Sequence, residues 1–121
     1  MARLGGGGVM ARGIARGAVH LYKFARPNKK RPVVVLTRDS AVPYLATVTV
    51  APITSAIRGV PSEVLLREDD GMKGPCVVNL HNAVTVPQAR LGRRVAQLSP
   101  PRMAEICAAL RFALGCDGGP S

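Results

Sequence analysis

Three kinds of side chain in this sequence have the chemistry to hold an anion or move a proton. Arg31 is a cation that keeps its charge at any working pH, and Thr54 and Ser55 are adjacent hydroxyl donors. His81 and His20, the only two histidines, can move a proton near neutral pH. Spacing makes Arg31 and Thr54 a set. Arg31 stands just before the apolar run PVVVLT (32–37), and Thr54 lies just after the run ATVTVA (46–51), within the turn Pro52-Ile53-Thr54-Ser55. Both runs are short, rich in β-branched residues and separated by a turn containing Ser40, Pro43 and Tyr44, which reads as two buried strands. Paired as an antiparallel hairpin, the start of one strand lies beside the end of the other. Arg31 and Thr54 then meet at one edge of the sheet. A fixed cation beside a hydroxyl suits a phosphate or another anion.

Other reactive residues read more plainly. Glu68, Asp69 and Asp70 are consecutive, so their carboxylates diverge, and a solvated loop ending in the Asp70-Gly71 turn signal is expected in place of a metal site. Cys76, Cys107 and Cys116 form an odd set without metal-ligand spacing, which reads as free thiols in a reducing cytosol.

The elements that must hold these groups follow along the chain. A first strand is expected over 19–24, then a basic turn over 26–30 that carries Lys29 and Lys30. Short strands are expected over 62–66, 76–80, 83–86 and 95–98, the last preceded by the basic cluster Arg90-Leu91-Gly92-Arg93-Arg94. Ser99-Pro100 marks a helix start, with serine as N-cap and proline at the first helical position. Met103, Ile106, Cys107, Leu110 and Leu114 supply an apolar stripe, and Gly115 a C-cap. Residues 1–16, with four consecutive glycines, are expected to be a flexible extension, 17–115 the folded domain, and 116–121 a frayed tail.

With 121 residues the chain can bury one modest core, and its four aromatic residues (Tyr22, Phe24, Tyr44 and Phe112) leave that core to Val, Ile, Leu and Ala. The net charge is +10, and nine basic residues precede the first acid, Asp39. Such an excess favours a polyanionic partner, nucleic acid or a strongly acidic protein segment. No apolar run approaches the roughly 20 residues of a membrane span.

The ordered set of RPVVV (31–35), APITS (51–55), CVVNL followed by VTVP (76–80 and 84–87), and RLGRRVAQLS (90–99) resembles the MazF/PemK family of toxin endoribonucleases. The resemblance runs from about Gly17 to Gly115. It implies an SH3-like, partly open antiparallel barrel of the CcdB/MazF type, mainly β with a C-terminal helix, assembled as a homodimer. It also implies metal-independent, cofactor-free cleavage of single-stranded RNA by 2′-OH attack, in the cytoplasm, under control of a cognate MazE-like antitoxin with an acidic tail. On this resemblance Arg31, Thr54 and His81 are the expected catalytic residues, with His20 behind His81 as the base. Lys29, Lys30, Ser55, Asn79, Arg93 and Arg94 are the expected substrate-binding set. Some family members place charged catalytic residues where Asn79 and His81 stand, and the family's loop at 26–30 is often longer, Gly-rich and acidic.

Two other classes fit parts of the pattern. A CcdB-like gyrase poison would share the fold, but the helix end GCDGGPS (115–121) lacks the aromatic anchor expected there, and the Arg31/Thr54 pair counts against it. A basic SH3-like RNA-binding module without activity would share the charge.

Overall fold

A computed structural model describes residues 14–25 and 29–116. Among the described residues seven strands and one α-helix follow in order: β1 (Ala18–Lys23), β2 (Lys30–Val35), β3 (Thr47–Thr54), β4 (Glu63–Leu66), β5 (Cys76–Asn79), β6 (Val84–Pro87), β7 (Arg94–Gln97) and α1 (Pro100–Leu114). The strands form one curled antiparallel sheet in the order β4-β5-β3-β2-β1-β7, with β6 also paired to β3. The architecture is the expected mainly-β half-barrel closed by a C-terminal helix. Of the expected segments, 1–13 of the leading extension, 26–28 of the basic turn and 117–121 of the tail lie outside the described residues.

The centre of the sheet explains the uninterrupted valines. Successive side chains of a strand point to opposite faces. Val34, Ala51 and Ile53 pack under α1 with Val64, Leu66, Val78 and Ile106. Val33, Val35, Val48 and Val50 pack on the other face with Ile14, Val42, Val86 and Leu91. Val33, Val34 and Val35 are therefore all fully buried, each in one of two cores, and each gains about 1.5–3 kcal/mol by it. Ile14 and Arg16, assigned by sequence to the extension, are held in place. Ile14 is buried, and the Arg16 backbone N–H donates to Asp39 Oδ1 at 2.6 Å.

β3 runs three residues further than its sequence suggests, through Pro52 to Thr54. A proline inside a sheet needs a place for its missing N–H. Leu36 N–H donates to Thr49 O at 2.8 Å, so antiparallel alternation makes Val33↔Pro52 a non-hydrogen-bonded pair. The nitrogen of Pro52 thus faces away from β2. On that side β3 pairs with β6 only as far as Val50 and with β5 only from Ile53. Pro52 occupies the gap where β3 changes neighbours, and costs no ladder bond.

α1 begins and ends as the sequence predicts. Ser99 Oγ accepts from the Arg102 N–H, and Gly115 adopts φ 74°, a left-handed conformation that suits a residue without Cβ. The expected stripe is rotated slightly. Ile106 and Ala109 are buried, with Met103, Leu110 and Ala113 packed beside them, while Leu114 is 66% exposed. The 67–71 turn is not simply solvated either, because Asp70 forms an ion pair with Arg102 of α1 at 3.0 Å.

Candidate functional site

Extending the β2–β3 register by two residues sets Arg31 across from Thr54, as another non-hydrogen-bonded pair, the kind in which facing side chains lie closest. Both continue the face of Val33 and Val50, and Tyr22 of β1 lies beside Arg31 on its other flank. Thr54 Oγ1 accepts the Ala56 N–H at 3.2 Å. That contact orients the side chain and leaves the hydroxyl proton free to donate to an anion.

Two concavities adjoin this pair, and Arg31 and Thr54 line both. The smaller, about 410 Å³, lies on the face away from α1 and is walled by Phe24, Pro52, Arg58, Asn79, Asn82 and Val84. The larger, about 710 Å³, opens on the helix side, floored by Leu21, Ile53, Met72, Cys76 and Val95. Its rim is cationic: Lys29, Lys30, Lys73 and Arg93 stand around it with Arg31, and Ser55 adds a hydroxyl. The expected groove residues Lys29, Lys30, Ser55, Asn79 and Arg93 are therefore grouped about the Arg31–Thr54 pair. Arg94 is exposed on β7 and lines neither concavity.

The histidines sit elsewhere. His81 is exposed in the 3-10 turn Leu80–Asn82, outside the lining of both concavities. Its backbone N–H, not its imidazole, touches a site residue, donating to Asn79 Oδ1 at 3.0 Å. His20 is 1% exposed, and its Nδ1–H donates to Gly92 O at 2.9 Å, so burial removes it from any substrate. It has a positioning use instead. Gly92 N–H donates to Leu21 O at 2.7 Å, and a Cβ on Gly92 would come within 2.9 Å of that oxygen. A glycine and a buried histidine thus press the 92–93 segment onto β1 and bring Arg93 to the groove.

Four charged, amide or aromatic lining residues escape a sequence reading: Phe24, Arg58, Asn82 and Lys73. Phe24 follows β1 and meets Tyr22 edge-on, with ring centres 4.8 Å apart at 71°. Lys73 belongs to the loop behind Asp70. Asp70 loses hydration by burial, which pushes its pKa up. Hydrogen bonds from Arg102 and the Arg67 N–H, and the charges of both arginines, outweigh this and hold the carboxyl below its usual value. Burial, aided by the Asp70 charge, pushes the Cys76 thiol up, away from thiolate chemistry. Among the described residues no three His, Cys, Asp or Glu side chains converge as metal ligands, and no helix is long and apolar enough to cross a membrane.

Comparison with known proteins gives a consistent result. The family described as "PemK-like, MazF-like toxin of type II toxin-antitoxin system" matches residues 15–114. A curated relative, "Probable endoribonuclease MazF5" of Mycobacterium tuberculosis, is 43% identical over 104 residues, covering 85% of this chain and 94% of the relative. Among solved structures, Mycobacterium tuberculosis toxin MazF-mt6 superposes with a TM-score of 0.76 at 35% identity, covering 83% of this chain and 98% of that one. A mycobacterial endoribonuclease in complex with its cognate antitoxin superposes with a TM-score of 0.79 at 25% identity, covering 88% and 99%.

Proposed function

The chain belongs to the PemK-like, MazF-like toxin family of type II toxin–antitoxin systems, and we propose that it cleaves RNA at a phosphate seated between Arg31 and Thr54. It is an endoribonuclease toxin. The reaction balances without any group beyond protein, RNA and water. The ribose 2′-oxygen attacks the neighbouring phosphorus and the P–O5′ bond breaks, leaving a 2′,3′-cyclic phosphate and a 5′-hydroxyl. The 2′-OH proton passes to solvent, and the departing O5′ takes one from solvent.

The protein's part is electrostatic. Charge builds on the phosphoryl oxygens in the transition state, and the fixed donors of Arg31 and the free hydroxyl proton of Thr54 meet it. No histidine lines the concavities, so the reading assigns neither His81 nor His20 as general base. Lys29, Lys30, Lys73 and Arg93 hold the flanking phosphates, with Ser55 beside them.

The observation that carries this reading is that Arg31 and Thr54 are shared by both concavities, so a strand occupying the two must place a phosphate against the pair. Endoribonuclease relatives favour catalysis over a binding module without activity, and the cationic rim suits an acidic antitoxin segment that competes with RNA. The working form is a cytoplasmic homodimer. The test is cleavage of a single-stranded RNA in excess EDTA with analysis of the ends. Cyclic-phosphate ends are expected, and Arg31→Ala or Thr54→Ala should slow cleavage about 10²–10³-fold without unfolding the protein. Full cleavage by folded Arg31→Ala, or loss of activity in EDTA restored by Mg²⁺, refutes the assignment.

A further inference from the structure

We propose that Asn79 selects the base held in the smaller concavity, favouring bases that present an oxo group, uracil or guanine, over those that present an amino group, cytosine or adenine. The inference rests on the reading of Arg31 and Thr54 as the phosphate site, because that places a nucleotide next to this concavity.

The space and its walls suit one unstacked base. It measures about 410 Å³ and shares Arg31 and Thr54 with the phosphate site. Single-stranded RNA is read by splaying a base onto an aromatic ring or a guanidinium plane and hydrogen-bonding its edge. Phe24 supplies a ring whose plane is set by its edge-on contact with Tyr22. Arg58 supplies a guanidinium, and Asn79 and Asn82 supply two amides.

Which way the Asn79 amide faces is fixed by the backbone. The His81 N–H donates to it at 3.0 Å. A backbone N–H can only donate, so the amide atom it meets is the oxygen. Capping the 3-10 turn Leu80–Asn82 turns Oδ1 toward that backbone, so the arm of the amide turned away from the turn is the Nδ2 amino group, a donor. A donor pairs with O4 of uracil or O6 of guanine. At the same places cytosine and adenine carry amino groups, so two donors would face each other unpaired. One such contact discriminates by up to about tenfold.

Substitution can invert this choice without disturbing the turn. Asn79→Asp keeps an oxygen for the His81 N–H, since aspartate caps as well as asparagine, and replaces the amino donor by an acceptor. The full-length protein would be given a pool of random single-stranded RNA, and the cut ends sequenced. The wild-type chain is expected to enrich uracil or guanine at one fixed position from the cut. Asn79→Asp should move the preference at that position alone to cytosine or adenine, shifting the ratio by up to about a hundredfold, about tenfold for the donor lost and about tenfold for the acceptor gained. The added negative charge slows cutting of every sequence, so the ratio is the readout. Asn79→Ser, which keeps a capping hydroxyl and loses the donor, should flatten the preference and carries the test where Asn79→Asp cuts too slowly to score. An unchanged oxo preference in either scorable variant, or a wild-type preference for amino bases at every selective position, overturns the proposal. Failure of the underlying site reading looks different: cleavage would then survive Arg31→Ala.

Discussion

Removing Arg102 tests whether the wall of the larger concavity is fastened to the helix. Asp70 and Arg102 meet at 3.0 Å with side chains 8% and 26% exposed. Exposed pairs contribute about 0–1 kcal/mol, while breaking a fully buried pair costs about 3–5 kcal/mol. This pair lies between. In Arg102→Ala the carboxylate keeps its bond from the Arg67 N–H at 2.9 Å, which moderates the loss. The expected destabilisation is about 1–2 kcal/mol at pH 7, lowering Tm by roughly 5–10 °C in a domain of this size. Because the 71–75 segment lines the groove, KM for RNA should rise more than kcat falls. The pH dependence has a definite sign. The folded-state pKa of Asp70 is lowered, so its contribution is present above the unfolded value near 4 and is lost as pH falls through the lower folded value. Urea unfolding of wild type, Arg102→Ala, Asp70→Asn and the double variant, at pH 7 and below about pH 4, measures both effects. A coupling energy below about 0.3 kcal/mol, or a gap between wild type and Asp70→Asn that does not narrow in acid, refutes the argument.

Three further outcomes are expected. His81→Ala should cleave RNA within about threefold of wild type with an unshifted pH–rate profile, since its imidazole lies outside both concavities; a lost limb in that profile would restore it as a base. Lys29→Glu with Lys30→Glu should weaken binding of RNA and of an acidic antitoxin segment together, and lower the salt slope for single-stranded RNA by about 1.4, measured by titration across ionic strengths. Gly92→Ala forces a Cβ against Leu21 O, and should cost about 1–3 kcal/mol in thermal unfolding while displacing Arg93 from the groove.

The central hairpin was legible because pattern and position agree: two β-branched runs joined by turn residues, with Arg31 and Thr54 at matched ends. The helix was legible through its caps. Pro52 misled, since a proline reads as a strand end unless the neighbouring ladder is known to break there. Asp70 misled for a related reason. Its partner Arg102 is 32 residues away, and nothing local distinguishes a paired carboxylate from its solvated neighbours. Phe24, Arg58 and Asn82 converge on the smaller concavity, and Lys73 reaches the larger, only because the sheet order departs from the chain order, which no local periodicity encodes.

The two concavities open on opposite faces of one sheet and touch only at Arg31 and Thr54. On the proposed function, a polynucleotide that fills both hooks around the sheet's end, with its sharpest corner at the phosphate held by Arg31 and Thr54. A corner of that kind unstacks the two flanking nucleosides and swings the ribose hydroxyl out of its helical pose, towards alignment with the departing oxygen. Paired RNA cannot take it without melting. Cleavage at this pair would then depend as much on local melting of the RNA as on its sequence, and whatever opens a stem would also expose it to the toxin.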